Sequence, residues 1–142
     1  MNPFRKQLIL SLLLLCGLTA SAQHHFDVQA FEAEKQTYVL QQAHLTPEET
    51  RRFVPLYKEM MAKKRKLHGE LRQLRKQSAD NERAARALIE RRDNLEIRMR
   101  QVERDYHQRM LKVMSAVKLK AALDAERKYH RMMFRKAAKK GR

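Results

Sequence analysis

The chain has 142 residues, and its 32 lysines and arginines exceed its 16 aspartates and glutamates, which gives a formal net charge of +16. This length allows one domain at most. The chain contains only three glycines, whereas glycine-rich phosphate loops and serial tight β-turns both need positions that only glycine fills at low cost. The composition therefore argues against nucleotide-binding proteins and all-β folds.

The segment of residues 1–22 has the three parts of a secretory signal peptide. Arg5 and Lys6 precede a largely apolar run, residues 8–18, and the small residues of Ala20–Ala22 follow it. The run of about 11 residues is too short to cross a hydrocarbon core, which needs roughly 20. We therefore expect export and cleavage after the last of these small residues.

Cys16 is the only cysteine in the chain. A lipoprotein anchored at Cys16 is the alternative to a cleaved signal, but the bulky Leu15 occupies a position where lipoproteins carry a small residue. Cleavage leaves residues 23–142 without a thiol. This part of the chain can form neither a disulfide nor a thiolate metal site.

Few residues of the segment 23–142 interrupt helices, and they are Gly69, Gly141, Pro47 and Pro55. We therefore expect a single domain that is almost entirely helical. It ends in a basic tail, because eight basic residues and no acidic residue follow Glu126.

A short helix is predicted over residues 26–43, where apolar residues recur at helical spacing. The segment Thr46–Glu49 has the composition of a helix start. The Thr46 hydroxyl can accept the backbone N–H of Glu49, the Glu49 carboxylate can reach back to Thr46, and Pro47 suits the first helical position.

Two long helices are predicted next, over residues 47–77 and from residues 78–81 onward. Each carries an apolar seam in steps of three and four residues, which is typical of helices that pack along their length. If the chain reverses at residues 78–81, the two seams face each other. This register sets Phe53 opposite Tyr106, and Lys64 opposite Leu95.

The predicted fold is all-α: an elongated antiparallel helical hairpin with flanking N- and C-terminal helices, about four helices in total. The last helix is predicted to begin near Ser115, whose hydroxyl can cap it. Narrow seams bury little apolar surface, and a thin core is typical of domains that a second copy stabilises. We therefore expect a homodimer.

Catalytic chemistry finds little support in these residues. The segment 23–142 contains only two serines, Ser78 and Ser115, and both lie where helix caps are predicted. Within residues 23–142, none of the six histidines has both a carboxylate and a serine within one helical turn, as a locally built triad needs. We expect no catalytic residue, no cofactor and no enzymatic activity.

Two arrangements of potential metal ligands remain. After cleavage, the N-terminal amine of Gln23, two backbone amides and the imidazole of His25 can hold Cu(II) or Ni(II) in a square plane. The alternative is an unstructured polar tail. His107 lies on neighbouring helical turns with Met110 and Met114, although helical seams use methionine more often as adaptable filler.

A cationic stripe is predicted on the second helix outside the seam, formed by residues that recur every seven positions: Arg51, Lys58, Arg65 and Arg72. The usual role of such a stripe is a solvated helix face. Few aromatic residues and an exported location argue against nucleic acid. An anionic membrane surface or an acidic, partly unfolded polypeptide is the expected partner, with Met60 and Met61 supplying adaptable apolar contacts.

Two short segments resemble a family of bacterial periplasmic proteins. Residues 45–49 read LTPEE, and residues 53–57 read FVPLY. Together with the signal peptide and the basic hairpin, they resemble the Spy and CpxP family, which carries Leu-Thr-x-x-Gln motifs, and especially its Bacteroidetes-type relatives, in which a Phe-x-Pro-x-Tyr segment follows. A second copy of the motif would fall on residues 114–118. The residues that carry the resemblance and the helix cap are Leu45, Thr46, Pro47, Glu49, Phe53, Pro55 and Tyr57.

The resemblance implies an all-helical, cradle-shaped dimer in the periplasm that works without ATP. Family members act as envelope-stress chaperones, as inhibitors of a sensor kinase, or as metal-binding sensors. Our leading hypothesis is a chaperone-like protein that binds unfolded or stress-exposed envelope proteins. The alternative is a regulatory or metal-sensing module for Cu, Ni or Zn that acts on a membrane sensor or an anti-sigma factor, with Gln23, His25 and His107 as candidate ligands.

Overall fold

The computed structural model describes residues 27–140, except for the side chain of Lys140. In this range the chain is all-α and contains no β-strand, which confirms the predicted fold class. Its helices are α1, Val28–Ala43; α2, Pro47–Leu74; α3, Glu82–Met110; and α4, Ala116–Lys140. None of the described helices is both long enough and apolar enough to cross a bilayer.

Side-chain caps fix the starts of the last three helices. Thr46 Oγ1 accepts the backbone N–H of Glu49 at 3.2 Å, and the Glu49 carboxylate accepts that of Thr46 at 2.9 Å. The predicted capping box at α2 is therefore confirmed. Asn81 Oδ1 accepts a backbone N–H in the first turn of α3 at 2.9 Å. At α4 the predicted cap is also confirmed, because Ser115 Oγ accepts the backbone N–H of Lys118 at 3.3 Å.

The bounds of α1 also have local causes, and α2 ends slightly earlier than predicted. The carboxylate of Asp27 caps the start of α1, and α1 ends where His44 adopts a left-handed backbone conformation with φ of 48°, as is common just beyond a helix. α2 continues through Pro55 and ends at Leu74, three residues before the predicted end.

The larger of two apolar cores joins all four helices, and we call it the four-helix core. At its centre, Val39 of α1, Phe53 and Met60 of α2, and Met110 of α3 are almost fully buried. Its other members are Ala43, Tyr57, Met61, Tyr106, Met114, Leu119, Ala122 and Ala125. The smaller core, which we call the hairpin core, consists of Leu67, Leu71 and Leu74 from α2 and Leu95 from α3.

α2 and α3 form an antiparallel hairpin, as predicted, but in a different register. Lys64 pairs with Glu103 at 2.7 Å, and Glu59 accepts the hydroxyl of Tyr106 at 3.0 Å. The predicted register set Lys64 opposite Leu95 and is wrong by about two helical turns. The observed register brings a carboxylate to Lys64, which in the predicted register would have lain beside an apolar residue and lost hydration without a partner.

Tyr57 and Tyr106 are both buried but differ in what their hydroxyls contact. The Tyr106 hydroxyl donates to Glu59 at 3.0 Å, whereas the buried Tyr57 hydroxyl has no hydrogen-bond partner among the described residues. Burial raises the pKa of Tyr57, and the carboxylates of Glu126 and Glu32 raise it further. An unpaired buried hydroxyl costs free energy that its removal recovers.

Removing the two hydroxyls is therefore expected to have opposite effects on stability. Tyr57→Phe should leave the free energy of unfolding unchanged or raise it by about 1 kcal/mol, while Tyr106→Phe should lower it by about 1 kcal/mol. Urea unfolding followed by circular dichroism measures both values. Equal losses in the two variants would show that Tyr57 has a partner after all.

Candidate functional site

The motif residues at the start of α2 have structural roles. Phe53 and Tyr57 stack with ring centroids 5.4 Å apart, and both belong to the four-helix core. Leu45 packs against the same core, Thr46 and Pro47 form the start of α2, and Pro55 is an exposed residue inside it. These residues hold the beginning of α2 in place rather than forming a binding surface.

Glu49 links the first motif segment to α4. The same carboxylate oxygen that closes the capping box accepts the ammonium of Lys118 at 2.5 Å. This hydrogen bond, together with the one to the backbone of Thr46, lowers the pKa of Glu49. Glu49 and Lys118 occupy the fifth positions of the first motif and of its expected second copy, residues 114–118. An ion pair therefore joins the start of α2 to the start of α4.

The cationic stripe is exposed along its whole length, as the sequence predicts. Arg51 pairs with Glu48 one turn before it, and Arg65 pairs with Glu32 of α1 at 3.2 Å. Lys58 and Arg72 have no carboxylate partner among the described residues. Half of the stripe is thus neutralised locally.

Met60 and Met61 are buried, which makes the expectation of surface contacts from them wrong. Met60 is 1% exposed and Met61 is 5% exposed, and both belong to the four-helix core. Met61 also contacts the buried ammonium of Lys35 through its sulfur atom at 3.5 Å. The heptad spacing of Met60 already indicated a seam position, and burial of apolar surface decides its role.

The predicted metal ligands fall into two groups. Gln23 and His25 lie outside the described residues. His107 is partly buried, and its two methionine neighbours, Met110 and Met114, are members of the four-helix core. Residues 27–139 contain no cluster of three or more histidine, cysteine or carboxylate side chains placed to hold an ion.

A groove of about 880 Å³ runs between α2 and α3. Four cations, Lys64, Arg75, Arg100 and Arg104, and three carboxylates line it, with His68 among them. Its apolar surface and remaining lining come from Leu71, Ile97, Met99 and Gln101. None of the four stripe residues lines this groove, so sequence reasoning placed the candidate binding surface on the neighbouring face of α2.

The groove contains an exposed apolar side chain, that of Ile97. It is 54% exposed and lines the groove, whereas Ile89 on the same helix is 52% exposed and does not. The sequence contains a signal for Ile97, because it is an apolar residue that lies off the seam of Leu95 and Met99 on a highly charged helix.

Lys64 and Glu103 line the groove and pair with each other, and the charge of Lys64 also acts on Glu126 of α4. Burial alone would raise the pKa of Glu126, but nearby His130, whose Nε2 is 3.9 Å from the carboxylate, and the charges of Lys64 and Lys35 outweigh burial and lower it. Burial likewise opposes ionisation of Glu103, and its pairs with Lys64 and Arg100 lower the pKa. Both carboxylates are therefore held in the charged form.

The free energy of unfolding should decrease as the pH falls, because the folded structure lowers the pKa values of His107, Glu103 and Glu126. Burial lowers the pKa of His107 below 6.5, and nearby Glu103 offsets this only in part. As the pH falls, the unfolded chain therefore binds protons before the folded chain does, at His107 below about pH 6.5 and at Glu103 and Glu126 below about pH 4.5. This difference favours unfolding.

Urea midpoints at pH 7.5, 6.0 and 5.0 test this. The midpoint should decrease at each step, and His107→Gln should flatten the first part of the decrease. A midpoint that is constant from pH 7.5 to pH 5.0 would contradict the assignment of His107 as a partly buried side chain with a lowered pKa.

Comparison with known proteins gives no match: no protein-family model matches the chain, and neither a curated protein nor a solved structure is detectably similar to it. Inferences about function therefore rest on the chain's own residues.

Proposed function

We propose that the protein is an ATP-independent, chaperone-like protein of the periplasm that binds unfolded segments of envelope proteins in the groove between α2 and α3. The observation that carries the proposal is Ile97, a half-exposed apolar side chain in a groove lined with four cations and three carboxylates. Such a surface can make weak apolar contacts and charge contacts at once, which suits varied segments of unfolded chains.

The charge of the protein supports an acidic client. Its formal net charge is +16, or +14 once residues 1–22 with Arg5 and Lys6 are removed, and it attracts acidic polypeptides over a distance of about a Debye length, roughly 8–10 Å at moderate salt. The carboxylates in the groove keep its local charge moderate, which favours reversible binding. No nucleotide-binding motif occurs in the sequence, so the proposal assigns release to folding of the client itself.

The proposal is consistent with the resemblance to the Spy and CpxP family at the start of α2. The Leu45–Glu49 segment forms the helix start that the motif predicts, and the fifth motif positions, Glu49 and Lys118, contact each other. We propose on these grounds that the protein is a distant member of that family.

Suppression of client aggregation tests the proposed function. Reduced α-lactalbumin is a suitable acidic client. The reductant that unfolds it does not affect the tested protein, because residues 23–142 contain no cysteine. We expect suppression at near-stoichiometric ratios and a weaker effect as salt rises. An absence of suppression at low salt would contradict the proposal.

Two matched isoleucine variants localise the binding surface. Ile97→Ser should raise the concentration needed for half-suppression by about fivefold, the effect of losing one partly buried apolar contact. Ile89→Ser removes an equally exposed isoleucine outside the groove and should leave suppression unchanged. Equal effects of the two substitutions would show that the groove is not the binding surface.

A further inference from the structure

The last part of α4 differs from the rest of the molecule in charge and exposure. Phe134 is 76% exposed, although large aromatic side chains are usually buried. Eight basic residues follow Glu126 without any acidic residue. From Arg131 to Lys139 no side chain has a carboxylate partner among the described residues. This segment therefore presents unneutralised positive charge next to an exposed aromatic ring.

The residues of this segment are sorted onto two faces of the helix. Ala137 and Ala138 lie three and four residues after Phe134, so the three side chains share one apolar stripe. Basic residues at spacings of three and four share the adjoining stripe, and they are Lys128, Arg131, Arg135 and Lys139. An aromatic residue on one face and lysine and arginine on the other are typical of helices that lie flat on a membrane surface.

We propose that the C-terminal segment of α4, residues 131–139, binds the surface of an anionic lipid bilayer. Phe134 inserts below the headgroups, and the adjoining basic stripe contacts lipid phosphates. Charge complementarity favours this partner, because each lysine or arginine near an anionic surface adds attraction. The planar division into an apolar and a basic face matches an interface between water and lipid, whereas an unfolded polypeptide has no such plane.

A tryptophan at position 134 reports the environment of this face directly. The chain contains no tryptophan, so Phe134→Trp creates a single emitter. Its emission should shift to the blue with phosphatidylglycerol vesicles and stay unchanged with phosphatidylcholine vesicles. Polyglutamate serves as the acidic polypeptide probe and should leave the emission unchanged. No shift with phosphatidylglycerol, or an equal shift with polyglutamate, would overturn the proposal.

Two serine variants in the full chain provide a matched pair for vesicle co-sedimentation. Phe134→Ser should weaken binding to phosphatidylglycerol vesicles by about tenfold, because the buried aromatic surface is lost. Val117→Ser removes an apolar side chain that is 79% exposed at the other end of α4 and should leave binding unchanged. Both variants keep the same N-terminal segment, so its contribution cancels in the comparison. Equal effects would overturn the assignment to residues 131–139.

The basic stripe has a separate test. Replacing Arg135 and Lys139 together with glutamine should weaken binding to anionic vesicles by about thirtyfold and reduce its dependence on salt. Ile97→Ser should leave vesicle binding unchanged, which distinguishes this surface from the groove of the proposed function. Vesicle binding that is independent of Arg135 and Lys139 would overturn the role of the stripe.

Discussion

Replacing Phe53 with alanine is expected to lower the free energy of unfolding by about 3–5 kcal/mol. Phe53 is 1% exposed and lies at the centre of the four-helix core, where its ring stacks on Tyr57. Removal of the ring leaves a cavity that residues on four helices would have to fill, and close-packed cores relax only partially. Small domains have total stabilities of about 5–15 kcal/mol, so this loss is a large fraction.

Phe134→Ala is the matched control, because it removes the same side chain from an exposed position. Its effect on the free energy of unfolding should stay within about 0.5 kcal/mol. Thermal and urea unfolding of both variants give the two values. A loss below about 1 kcal/mol for Phe53→Ala would contradict the assignment of the FVPLY segment to the core.

Breaking the Lys64–Glu103 pair on one side is expected to cost about 2 kcal/mol. Both side chains are 18% exposed, and their charged atoms are 2.7 Å apart between α2 and α3. Removal of one partner of a fully buried pair costs about 3–5 kcal/mol, because the remaining charge is left without compensation. Partial exposure of these two side chains reduces that cost, and so does the second pair of Glu103, with Arg100 at 2.8 Å.

The double variant separates pairing from packing. Lys64→Met and Glu103→Met should each destabilise the protein, while the two together should restore most of the stability, because no unpaired charge remains. Lys120→Met is the control: Lys120 and Asp124 are also 2.7 Å apart but exposed, and its effect should be below about 0.5 kcal/mol. Additive losses in the double variant would contradict direct contact, and with it the register of α2 and α3.

Local features of the fold could be predicted because they depend on residues close together in sequence. The capping box of Thr46 and Glu49 requires three residues of separation, and the Ser115 cap requires the same. The helical periodicity of α2 and α3 likewise repeats within two turns. These elements need no knowledge of how the helices pack.

The register of the hairpin could not be predicted in the same way. Two heptad seams fit each other after a shift of about one heptad nearly as well as before it, because both positions set apolar residues face to face. The prediction treated Lys64 as an isolated cation in the seam. In the structure Lys64 pairs with Glu103. Glu103 follows the seam residue Val102 in sequence and is not itself a seam position, so the seam pattern did not indicate it.

The candidate site was missed for a related reason. The stripe of Arg51, Lys58, Arg65 and Arg72 is a feature of one helix, whereas the groove needs two helices at a known register. Met60 and Met61 were assigned to the surface, but α1 and α4 cover them. Export, the homodimer and the metal site at Gln23 and His25 stay predictions.

A fluorophore at position 97 tests whether the groove binds unfolded polypeptide. Ile97→Cys and Ile89→Cys, each in a chain with Cys16→Ser, carry one thiol for an environment-sensitive label. Addition of reduced α-lactalbumin should change the emission of the label at position 97 in a saturable manner and leave that at position 89 nearly unchanged. An equal response at both positions, or no response at position 97, would contradict binding in the groove.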